Sequence, residues 1–134
     1  MKSRDTLLRL KQFQVEEKRR RVAQINLMIA EFGRMTADLD REIGIEEQRA
    51  NNSDPNHFAY PTYARAARSR RDNLNSSLAE LRDKLEDAQA SLKDATEELA
   101  KAQSQESRDL SAERMVDVVA ERSVAGRNGL HRGA

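Results

Sequence analysis

The chain has 134 residues, of which 35% are charged, 37% hydrophobic and 4% aromatic, with no Trp and no Cys, and its mean hydropathy is −0.88. That composition excludes a thick globular core and leaves a seam between elongated elements as the place for apolar side chains. The missing cysteines exclude disulfides and thiolate metal sites. No run of about 18 apolar residues exists to span a membrane. The formal charge of +1 argues against nucleic acid as a partner. The opening MKSRDTLLRLK has no apolar signal-peptide core, so a cytoplasmic location is expected.

The first predicted element is a helix over residues 4–50. With Leu8 at heptad position a, Val15, Val22, Ile29, Thr36, Ile43 and Ala50 follow at a, and Ile25, Phe32 and Leu39 fall at d. Lys11 and Lys18 occupy d positions near the start, so the first turns of the seam should be looser than the middle. Asn51, Asn52, Ser53 and Asp54 compete for backbone hydrogen bonds, and Pro55 disfavours α geometry before it; the helix should stop near residues 49–51. A bend over 51–62 follows, with Thr62 as the expected N-cap of the next helix.

That second helix is predicted over 63–106. Leu78, Leu85, Leu92 and Leu99 sit at a, and Leu74, Leu81, Ala88, Ala95 and Ala102 at d, where alanine allows close approach. Each helix of about 45 residues would be on the order of 65 to 70 Å long at 1.5 Å per residue, which makes a rod. The heptad fails at Glu106 and Asp109, so residues 110–134 are expected to form a short amphipathic segment, with Met115, Val118 and Val119 on one side, and a flexible tail with Gly126, Gly129 and Gly133.

Charge gives a separate reason for antiparallel pairing. Residues 1–21 hold eight Lys/Arg against three Asp/Glu, and residues 22–50 three against six. Residues 62–72 hold four against one, and residues 80–109 five against nine. Folding back sets the basic start of the first helix beside the acidic end of the second, and the acidic middle beside Arg65 to Arg71. An exposed pair contributes only about 0.2 to 1 kcal/mol, so charge selects orientation and the apolar seam supplies stability. The fold class is therefore all-α, a long antiparallel two-helix coiled-coil hairpin.

Enzyme chemistry finds no support in these residues. His57 and His131, the only histidines, have no evident triad or metal-site partners, no Gly-rich phosphate loop is present, and carboxylates such as Glu16, Glu17, Glu46 and Glu47 read as solvated helix faces. No catalytic residue, metal or cofactor is expected.

Two features exceed a generic coiled coil. Lys18, Arg19, Arg20 and Arg21, preceded by Arg9 and Lys11, form a basic collar that is either a solvated face or a contact for an acidic protein surface. No aromatics interleave it to stack bases. At the bend, Phe58, Tyr60, Pro61 and Tyr63 gather three of the five aromatic residues, followed by Arg65, Arg68, Arg70 and Arg71. They either pack back as a cap or present a docking surface, since aromatics and Arg dominate interface hot spots.

The opening MKSRDTLLRLKQFQVEEKRRRVAQI and the bend DPNHFAYPTYARAARSRRDNL resemble the flagellar export protein FliJ family in its alphaproteobacterial form, over residues 1–109. The resemblance implies a non-enzymatic central-stalk component of the flagellar type III protein export apparatus. In that family a two-helix coiled coil similar to the rotary ATPase γ stalk inserts its paired ends into the hexameric export ATPase, and its distal part contacts the cytoplasmic domain of the export-gate membrane protein. By position, Lys11, Lys18, Arg19, Arg20 and Arg21 would face the ATPase ring. Phe58, Tyr60, Tyr63, Arg65 and Arg68 would lie toward the gate. The expected location is cytoplasmic, peripheral to the inner membrane at the flagellar base, without membrane insertion. Two alternatives stand beside this reading: an export chaperone or chaperone-escort protein that binds export chaperones or subunits, and a structural coiled-coil spacer.

Overall fold

The structure, a computed structural model, describes residues 2–132 and the side chains of residues 3–124. It is an all-α helical hairpin: α1 is Lys2–Ala50 and α2 is Thr62–Arg132. Two compact units are present. The terminal unit comprises Met1–Glu16 with Asp94–Ala134, and the bend unit comprises Glu17–Lys93.

In the bend unit the predicted heptad positions turn inward, except Lys18 and Ala50, which are exposed. Ile25, at 1% exposure the most enclosed large side chain, Leu39 and Ile43 of α1 are buried, as are Ala64, Ala67, Leu78 and Leu81 of α2. Leu39, Ile43 and Ala67 form one cluster against which Leu74 packs. Thr36, a polar residue at a seam position, donates its hydroxyl to the Gly33 carbonyl at 2.8 Å, so its polar atom enters the seam with its hydrogen bond made. Arg71 of α2 reaches Asp40 of α1 at 3.0 Å and also holds Asp72. Both contacts push the Arg71 guanidinium above its ordinary range, with the Asp40 hydrogen bond as the larger cause.

The bend has a local explanation at each step. Asn51 adopts φ 49°, the left-handed conformation that Asn tolerates better than most non-glycine residues. Its amide donates to the Gln48 carbonyl and the Asn52 amide donates to that of Glu47, both at 3.1 Å, which is the Schellman closure of a helix C-terminus. The Asn52 side chain then accepts from the Asp54 amide, and the Asp54 carboxylate accepts from the Asn56 amide. At the far side the first bond of α2 runs from the Arg65 amide to the Pro61 carbonyl, so Pro61 takes the cap position expected for Thr62, and Thr62 is the first helical residue.

In the terminal unit Val15 is buried and Leu8, Leu99 and Ala102 are half-buried. Arg4 of α1 pairs with Glu113 of α2 at 2.5 Å, and Lys11 with Glu98 at 3.7 Å. The basic start of α1 thus lies beside the acidic stretch of α2, in the antiparallel sense that the charge gradient requires.

The expectation of a separate segment over 110–134 is corrected here: α2 passes residue 106 without a break and continues to Arg132. Glu106 and Asp109, which break the apolar heptad, are half-buried opposite Arg4. The Glu113 hydrogen bond raises the Arg4 guanidinium above its ordinary range, and the charges of Asp109 and Glu106 act in the same direction. Acidic seam residues matched by an arginine across the seam do not stop a helix. Gly133 lies outside the described residues, and the His131 side chain lies beyond those described.

Candidate interaction surfaces

The aromatic cluster at the bend divides into a structural residue and a presented one. Tyr60 is buried at 4% exposure and donates its hydroxyl to Glu47 Oε2 at 3.0 Å. Burial, then the Glu47 hydrogen bond, raises its phenol above the ordinary range. Arg65 lies over the Tyr60 ring at 5.4 Å and donates Nη1 to the Pro55 carbonyl at 2.9 Å, so it staples the bend to the first turns of α2. Arg68 is half-buried and faces the Tyr60 hydroxyl, whose ionised form it favours. Cap packing therefore accounts for Tyr60.

Phe58 is the opposite case. It is 94% exposed and its ring stacks on His57 at 4.6 Å between centroids. The His57 Nδ1 accepts the Ala59 amide at 3.0 Å, which places the ring proton of the neutral imidazole on Nε2, and the Asn52 amide group lies 3.2 Å from the same nitrogen. Phe58 thus projects outward beside the His57 ring. Tyr63 is 55% exposed and donates to Glu42 at 2.8 Å, a bond that raises its phenol. Of the five residues assigned by position to the gate, Phe58, Tyr63 and Arg65 face solvent, whereas Tyr60 and Arg68 face inward. Beside the bend, Arg41, Gly44, Ile45 and Gln48 line an open groove of about 670 Å³ with an exposed isoleucine on its floor.

The basic collar also divides. In the terminal unit Lys11 is half-buried and engaged by Glu98. In the bend unit Arg20 pairs with Glu17 at 3.1 Å, and Arg19 is itself engaged. Lys18 and Arg21 line a groove of about 310 Å³ with Lys84, Asp87, Ala88 and Ser91 of α2. The basic run in the amino-acid sequence marks Lys18 and Arg21 but not Lys84, because the charge count assigns that part of α2 as acidic.

A third surface occupies the terminal unit. Leu7, Leu10 and Phe13 of α1 are exposed, as are Leu110, Met115, Val116, Val118, Val119 and Val124 of α2. Met115 and Val116 are each 67% exposed. On α1 these residues fall at heptad positions c, f and g, outside the seam, and apolar residues at such positions were the available signal. Val116 carries the α2 seam register past the pairing with Arg4. Apolar side chains exposed on both helices of this unit are available for contact with a partner.

Among the described residues no group of three or more His, Asp or Glu is placed to hold a metal ion, and no helix is long and apolar enough to cross a membrane. Comparison with known proteins gives no match to a family model, to a curated protein or to a solved structure.

Proposed function

We propose that this chain is a non-enzymatic stalk component of a flagellar type III export apparatus, a FliJ-type protein that engages the hexameric export ATPase through its terminal unit and the collar, and the cytoplasmic domain of the export-gate membrane protein through its bend. The observation that carries the reading is the presence of two chemically different surfaces on one antiparallel hairpin. The terminal unit has exposed Leu, Phe, Met and Val side chains, and the bend unit has an exposed Phe58 stacked on His57, with Arg65 and Arg70 of the following helix also exposed. A helical pair offering apolar side chains outside its own seam is suited to being gripped by surrounding subunits. Exposed aromatic side chains and arginines at the bend are suited to a pocket on another partner. The protein works at the inner face of the membrane at the flagellar base.

The test is steady-state ATP hydrolysis by the cognate export ATPase with and without the full chain across a salt series. Salt-sensitive stimulation with ring assembly is expected. Met115→Ser with Val119→Ser should lower it while helicity is retained. Phe58→Ala should weaken gate binding and leave stability within about 0.5 kcal/mol, because the side chain is 94% exposed. No stimulation and no ring binding, together with binding to export subunits or their chaperones, would replace this reading by the chaperone one, which the same exposed apolar residues also suit. Failure of all these partners would leave a structural spacer.

A further inference from the structure

We propose that the groove between α1 and α2 lined by Lys18, Arg21 and Lys84 is the seat of an acidic segment of a partner protein, which places at least two carboxylates among the three cations. Elsewhere in the hairpin a cation that reaches across from one helix finds an acid on the other, as Lys11 finds Glu98 and Arg71 finds Asp40. Here two cations of α1 face a third from α2. Among the described residues none of the three makes an ion pair. Asp87, the one acid on the groove wall, also makes none. Three cations and one acid leave a local charge of +2, and like charges gathered across a helix interface oppose the pairing of the two helices.

The groove exists because the seam is interrupted there. Lys18 occupies a d position between buried Val15 and buried Ile25 yet is itself exposed. The facing α2 residues are the small Ala88 and Ser91, both half-buried, so nothing fills the layer that Lys18 vacates. At about 310 Å³ the opening lies near the lower end of ligand-pocket sizes, and no lining residue is aromatic. A base or sugar would find no stacking surface, whereas carboxylates suit the site: Arg21 offers a planar fork for bidentate pairing and the lysines offer point charges on flexible stems. The inference refines the ring contact proposed above, on which it rests only for the partner's identity; it adds Lys84 and leaves Arg20 out.

The experiment titrates the full chain into a labelled alanine-based helical peptide carrying paired Glu residues, with the Gln version as control. Lys18→Glu, Arg21→Glu or Lys84→Glu should each weaken binding about tenfold or more, while Arg20→Glu changes it less than about twofold. The Gln peptide should not bind. Equal losses with Arg20→Glu would reduce the effect to overall charge and overturn the groove, as would unchanged binding with Lys84→Glu. Stronger competition by inorganic tripolyphosphate than by the Glu peptide at matched charge would make it a phosphate site and overturn the carboxylate assignment. A second readout is stability: Lys84→Glu should raise the melting temperature by replacing repulsion with pairing, and a fall would overturn the like-charge geometry. The peptide titration needs no ATPase, so failure of ATPase stimulation sinks the stalk reading without touching the groove.

Discussion

The Tyr60 hydroxyl donates to Glu47 Oε2 at 3.0 Å and thereby ties the end of the bend, two residues before α2, to the last turn of α1. Because Glu47 also supplies the carbonyl that closes the α1 C-terminus with Asn52, one residue anchors both the end of one helix and the approach to the next. Tyr60→Phe should destabilise the hairpin by about 1 kcal/mol, the usual contribution of one hydrogen bond. Tyr60→Ala should cost about 3 kcal/mol through lost burial. Urea unfolding followed by circular dichroism distinguishes the two.

Alkaline pH should weaken the same region. Tyr60 and Tyr63 have phenols raised in the folded chain, Tyr60 chiefly by burial and Tyr63 chiefly by its hydrogen bond to Glu42. A raised group stabilises fully below its unfolded value of about 10, and that stability is lost as pH rises through the folded value. Unfolding curves from pH 8 to pH 11 should therefore show falling stability, with a shallower fall in Tyr60→Phe.

Asn51 supplies a backbone test. At φ 49° a β-carbon is tolerated only with strain, which the asparagine side chain eases and alanine does not. Asn51→Ala should lose about 1 kcal/mol. Asn51→Gly should stay within about 0.5 kcal/mol of the parent, since freedom at φ is offset by greater unfolded-state entropy.

Arg4 should control how far α2 remains helical. Its Nη2 holds Glu113, and its Nη1 is buried without a hydrogen-bond partner, a sign that the guanidinium is drawn into the seam by the surrounding acids. Arg4→Ala removes the cation that faces Glu106, Asp109 and Glu113. Amide hydrogen exchange over residues 106–124 should accelerate while that of residues 70–85 stays unchanged, and added salt should narrow the difference.

Two neighbours on α1 give a direct check of the seam. Ile25 is enclosed and Leu27 is 69% exposed. Ile25→Ala should cost about 2 to 4 kcal/mol, and Leu27→Ala less than about 0.5 kcal/mol, by chemical denaturation.

The heptads of both helices, the antiparallel sense and the bend were legible in the amino-acid sequence because each rests on local rules. Seam residues recur every seven positions, charge gradients choose the direction of pairing, and the Asn-rich run before Pro55 ends α1. Three things waited for the tertiary structure. Whether Tyr60 or Phe58 would pack depended on Glu47 and Arg65 approaching from either side of the bend. Whether α2 would stop at Glu106 depended on Arg4, roughly a hundred positions away in the chain. Whether Lys18 and Arg21 would be neutralised depended on Lys84, not an acid, arriving opposite. In each case the energy of a polar or charged side chain is set by what faces it across the helix pair, and periodicity fixes which face a residue occupies without fixing its opposite number.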